Sequence, residues 1–94
     1  MIKPTVHLNG TSRETLTAEY LAALRAVQAA LVAVRAITVN GRDYYPQGPT
    51  VFYAAEDEHC ARLQRLETTE AELTEILIDL THGAPLRARQ ALDF

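Results

Sequence analysis

The densest polar chemistry in this chain sits in one short stretch, Asn40-Gly41-Arg42-Asp43-Tyr44-Tyr45-Pro46-Gln47-Gly48. It gathers two of the four tyrosines with an arginine, an aspartate, an asparagine and a glutamine, and its glycines and proline specify a shape. Aromatic faces stack on nucleobases. The planar guanidinium of Arg42 can clamp a phosphate through paired N–H donors. Asn40, Asp43 and Gln47 offer donors and acceptors for base edges or ribose hydroxyls. These residue types suit a small anionic aromatic ligand such as a nucleotide. A plainer alternative stays open, in which the tyrosines plug the end of a helical hairpin and Arg42–Asp43 is a local ion pair.

Other groups can extend such a pocket. His59 and Arg62, nearly one helical turn apart, can form its floor, although a histidine at this place is as readily a core or interface residue. Asn9-Gly10-Thr11-Ser12-Arg13 opens the first helix, and a helix N-terminus attracts anions. Asn9, Thr11 and Arg13 are therefore candidate contacts, while ordinary capping accounts for the same residues. If protomers pack head to tail, this segment meets the tyrosine loop of a neighbour and makes a composite pocket.

Glu56-Asp57-Glu58-His59 contains Glu-x-x-His, half of a carboxylate-bridged di-metal site. Glu56 and His59 share a helix face. Antiparallel packing sets them opposite Val34, Arg35, Ala36 and Ile37, none of which is a carboxylate, so no metal and no cofactor are expected. Cys60 has no catalytic partner at a recognisable spacing and is expected to be a buried thiol. Glu67, Glu70, Glu72 and Glu75 read as a solvated face. A Gly-rich phosphate loop, a nucleophile elbow and paired catalytic carboxylates are all missing from the sequence, so a non-enzymatic protein is expected.

The elements that must position these residues are helical. Thr11 with Glu14 reads as a capping box, and helix one is predicted over 12–37. Leu16, Tyr20, Leu24, Val27, Leu31 and Val34 recur at spacings of three and four. Ala22, Ala26, Ala29 and Ala33 form a small-residue stripe beside them, suited to a close-packed second partner. Asn40-Gly41 stops the helix, and Pro46 and Pro49 keep 38–48 a loop. Helix two is predicted over 49–82, with Pro49 in its first turn and a stripe of Phe52, Ala55, His59, Leu63, Leu66, Leu73, Leu77 and Leu80. The segment holding Ile76, Leu77, Ile78 and Leu80 overhangs the shorter helix one and needs a cover. Residues 1–10 alternate like a strand or a one-sided docking arm, and 84–94 is a tail or short third helix. The expected architecture is all-α: a long antiparallel helix–loop–helix hairpin with an extended arm, in a single domain over 1–94.

Bulk properties agree. A chain of 94 residues, 48% hydrophobic and 22% charged with net charge −3, is one domain whose thin core favours a homo-oligomer. The mild acidity argues against duplex DNA, whose affinity comes from phosphate neutralisation. One cysteine excludes a disulfide framework. The N-terminal residues lack the apolar core of a signal peptide. No uninterrupted apolar run spans about 18 residues, so no membrane partner is expected. The expected location is cytoplasmic.

The combination of NGTS, an Ala-rich helix, NGRDYYPQG and an acidic helix containing His59 and Arg62 resembles a group of small helical proteins encoded by tailed phages and prophages. The likeness spans roughly residues 8–82, and its sharp part is the loop motif. At the level of class it resembles phage counter-defence sponges, which oligomerise and sequester nucleotide messengers of bacterial immunity such as cyclic oligonucleotides and ADP-ribose derivatives. That resemblance implies an oligomeric, non-catalytic nucleotide binder in the cytoplasm of an infected bacterium, and it assigns no individual site residue. A protein-interaction module docking through the loop, as an inhibitor of a host defence protein or a phage structural accessory, is the alternative.

Overall fold

The computed structural model describes residues 1–83. These residues are helical, with no strand among them, in two long helices: α1 (Arg13–Arg35) and α2 (Val51–Ile78). The all-α expectation therefore holds. The expected tail or third helix at 84–94 lies outside the described residues.

α1 starts one residue later than the Thr11–Glu14 pattern suggests. Ser12, extended at φ −62° and ψ 154°, is the cap. Its Oγ accepts the Thr15 N–H at 3.1 Å and donates to Thr15 Oγ1 at 2.9 Å. Placing Thr15 at the third helical position means that a hydroxyl, and not the Glu14 carboxylate, answers the cap. The helix closes with the Ala36 N–H bonded to the Val32 carbonyl and Ile37 to Val34. Arg35 in the last turn complements the dipole.

The two helices pack against each other. Leu16, Tyr20 and Ala23 share a surface groove with Leu73. Further along α1, Arg35 pairs with Glu67 at 3.3 Å, and Ile37 beyond it meets the stretch of α2 near His59. The core between them is thin. Among the described residues Leu24, Leu31, Ile76 and Leu80 are the buried apolar side chains, with Leu31 and Leu80 each 1% exposed. The rest of the predicted stripes, including Leu16, Val27, Leu63 and Leu66, is half-buried. Every alanine of the stripe Ala22, Ala26, Ala29 and Ala33 is exposed, so no second helix of this chain lies against it. Those alanines also make α1 apolar enough, by length and composition alone, to cross a membrane. A window of it has mean hydropathy 1.3, with 11% buried. Glu19 and Arg25 interrupt its apolar run.

The overhang expected at 76–80 is not left bare. Ile76 and Leu80 are buried, and Lys3 of the arm reaches Glu75 at 3.3 Å. The arm has no regular structure up to a turn in which the Gly10 N–H bonds to the His7 carbonyl at 3.1 Å. With no strand to pair with, its alternation is only partly used: Pro4 and Val6 are half-buried, Ile2 and Leu8 exposed. Thr69 and Thr74 on α2, and Thr81 just beyond it, donate to carbonyls four residues back, the back-bonding that lets these hydroxyls sit on a helix. α2 ends in a π-helical turn over Asp79–Gly83.

Candidate ligand cleft

The segment between the helices is more ordered than a plain loop. Asn40 is extended (φ −112°, ψ 129°), and its Oδ1 accepts the Arg42 N–H at 3.2 Å. That cap starts a single 3-10 turn over Gly41–Asp43, closed by Tyr44 N–H to the Gly41 carbonyl at 3.0 Å. A second turn over Tyr45–Gln47 holds Pro46 where its missing N–H costs nothing. It closes with Gln47 N–H to Tyr44 at 2.9 Å and Gly48 N–H to Tyr45 at 3.1 Å. Gly48, at φ 135° and ψ 161°, then swings the chain toward α2. α2 begins at Val51 after Thr50, whose side chain makes no capping bond. Pro49 thus sits just outside the helix and not in its first turn.

This geometry leaves a cleft of about 520 Å³ where α1 has ended and the loop passes over α2, within the roughly 300–1,000 Å³ usual for small-molecule sites. Its apolar wall is Val34, Ile37, Val39, Ala55 and Leu66, and its polar groups are Tyr44, His59, Arg62 and Arg65. No carboxylate is among these described lining residues. His59, Arg62, Arg65 and Leu66 follow at helical spacing, so one face of α2 presents a ring, two guanidiniums and an aliphatic side chain together. Arg62 is also held by Glu58, Nη2 to Oε2 at 3.6 Å, with both side chains largely exposed.

Of the residues singled out from sequence, Tyr44, His59 and Arg62 are brought together here. The others are not. Arg42, Asp43, Tyr45 and Gln47 are on the outer side of the loop, exposed, with Tyr45 72% exposed. Asn40 is half-buried but committed to the turn. The α2 N-terminus does not line the cleft, so its amides are not part of the site. Asn9, Thr11 and Arg13 are exposed at the α1 start, beside the Leu73 end of α2, and within one chain they do not reach the cleft. Arg42 and Asp43 form no ion pair with each other among those described. Tyr44 covers the end of the helix pair while Tyr45 does not.

Sequence reasoning missed Arg65. Its i,i+3 relation to Arg62 was the available signal. Cys60, expected to be buried, is exposed, because it follows His59 by one position and so points off the packed face. Among the described residues no group of three or more His, Cys, Asp or Glu side chains is arranged to hold a metal ion. Comparison with protein-family models, curated proteins and solved structures gave no match to this chain.

Proposed function

We propose that this protein is a non-enzymatic binder that holds a nucleotide-type anionic ligand in the cleft beneath its loop. The observation that carries the reading is the composition of that cleft: a tyrosine, a histidine and two arginines around an aliphatic wall, with no carboxylate among the described lining residues. Such a lining welcomes a molecule with a flat apolar body and an anionic end, and repels cations. Tyr44 packs against the base, Arg62 and Arg65 hold phosphate, and His59 lies between them.

In the same proposal the helices form an antiparallel hairpin that assembles as a homo-oligomer. The support is physical: four buried apolar side chains make a small core, and Val32 (69%) and Ile78 (53%) are left exposed. A head-to-tail neighbour is the way Asn9, Thr11 and Arg13 join the site. By its resemblance to phage counter-defence sponges, the ligand is a signalling nucleotide of bacterial immunity, a cyclic oligonucleotide or an ADP-ribose derivative. It is sequestered unchanged in the cytoplasm of an infected cell.

Native mass spectrometry with and without a panel of these nucleotides tests the reading. A discrete oligomer gaining whole ligand masses, with the ligand recovered intact, is the expected result. A clean protein that takes up nothing refutes it. One observation favours a second reading: Arg42, Asp43, Tyr45 and Gln47 face outward on a hydrogen-bonded loop, as a docking surface for another protein would. Under that reading Tyr45→Ala abolishes a pull-down and leaves nucleotide binding untouched.

A further inference from the structure

We infer that the cleft reads the phosphates and the apolar face of its ligand and leaves the base edge unread, so that it takes nucleoside diphosphates with little regard to which base they carry. The inference rests on the nucleotide-type reading above and narrows it. Telling bases apart requires donors and acceptors set against the ring edge, because a missing partner there is what rejects the wrong base. The cleft supplies few. Its polar side chains are Tyr44, His59, Arg62 and Arg65, and a guanidinium has no acceptor with which to meet an amino group. The side chains suited to edge reading are elsewhere. Asn40 is committed to the Arg42 amide, and Asp43 and Gln47 are exposed on the loop's outer side. What remains for the base is the Tyr44 ring and aliphatic carbon, for which every base has a face, with only the Tyr44 hydroxyl and the His59 imidazole, each able to donate or accept, at its edge.

The phosphate end is better provided. Arg62 and Arg65 lie three residues apart on α2, about 5–6 Å between Cβ atoms, a separation suited to oxygens on neighbouring phosphates. They are not equivalent. Arg62 is shared with Glu58 at 3.6 Å, whereas the Arg65 guanidinium has no ion pair among the described residues. Arg65 is therefore the primary anchor. Arg62 is the second, engaged at the expense of its contact with Glu58. Two cationic forks favour a diphosphate over a monophosphate, and a nucleoside without phosphate has only the apolar wall to hold it.

Isothermal titration at one fixed ionic strength, with ADP, GDP, CDP, AMP and adenosine, tests this on the full chain. The diphosphates are expected to agree within about threefold, AMP to bind about tenfold more weakly, and adenosine to be undetectable. Arg65→Ala lowers ADP affinity by about tenfold or more, and Glu58→Gln raises it by a few-fold. Circular dichroism confirms that these surface variants stay helical. One diphosphate preferred by more than tenfold overturns base-blind recognition and leaves the ligand class standing. Adenosine binding as tightly as ADP overturns the phosphate anchor alone. Failure of all three diphosphates overturns this inference, and the nucleotide reading falls with it when the cyclic oligonucleotides and ADP-ribose derivatives of the mass-spectrometry panel fail as well.

Discussion

Replacing Gly48 by alanine isolates what the loop's shape is worth. Gly48 is the described glycine with positive φ, at φ 135° and ψ 161°, a region that residues with a Cβ avoid at about 1–3 kcal/mol. Its extended ψ also suits the residue before Pro49. An added Cβ would meet Val51 Cγ2 at 3.7 Å, an ordinary contact, so sterics with neighbours add nothing. Alanine also stiffens the unfolded chain, offsetting about 0.4–1 kcal/mol. The net loss expected is about 1–2 kcal/mol, from a total of about 5–14 kcal/mol for a chain this size. Gly41→Ala is the control. Its φ is not positive, and its Cβ would lie 3.9 Å from the Phe52 ring, so its stability should change by no more than about 0.5 kcal/mol. Thermal unfolding followed by far-UV circular dichroism reads both, at one protein concentration because assembly shifts the midpoint. Gly48→Ala should lower Tm by about 5–15 °C, with Gly41→Ala close to wild type. Equal shifts for the two variants, or a neutral Gly48→Ala, refute the argument that backbone conformation at Gly48 sets the loop.

Leu31→Ala, at a side chain 1% exposed, should cost about 2–5 kcal/mol in urea unfolding; a change under about 0.5 kcal/mol would show that Leu31 is not a packed centre. Ser12→Ala should cost about 0.5–2 kcal/mol while Thr11→Ala is silent, and the reverse order would return the cap to Thr11. Val32→Glu combined with Ile78→Glu should shift sedimentation velocity toward monomer with helicity retained; an unchanged sedimentation coefficient would place any assembly on another face.

Much of the fold was legible because period and punctuation agree. Leu24 and Leu31 fall on the three-four repeat, and Ser12 and Thr15 supply a start within a residue or so of the pattern; the helix ends at Arg35, ahead of Asn40-Gly41, which instead open the 3-10 turn. The end of helix two near His82 and Gly83 matches the turn over Asp79–Gly83. The segment at 76–80 was expected to need a cover, and Ile76 and Leu80 are buried, with Lys3 of the arm at Glu75; apolar periodicity on two separate helices does not encode which element supplies that cover. The site was less legible. Tyr44 could be named from composition, but which of two adjacent tyrosines turns inward depends on the 3-10 turns. Arg65 enters only because α1 stops short of covering it.

The connection between the helices is longer than the usual about 2–8 residues, and it lies against the start of α2, where a Cβ on Gly41 would come within 3.9 Å of the Phe52 ring. Val34 in the last turn of α1 and Ile37 just beyond it share the cleft with Ala55 and His59 of α2. The chain leaves α1 in an extended run through Val39 and Asn40, then folds two hydrogen-bonded turns over the exposed end. A continuing helix would have filled the space with a row of side chains. An extended segment and a turn fill less of it, and the cleft is what they leave between Ile37, Tyr44 and the His59–Arg62–Arg65 face. The cleft is therefore a consequence of α1 ending at Arg35, with Ala36 as its cap. A variant that carries α1 further should close it and stabilise the helix pair, at the expense of any ligand it holds.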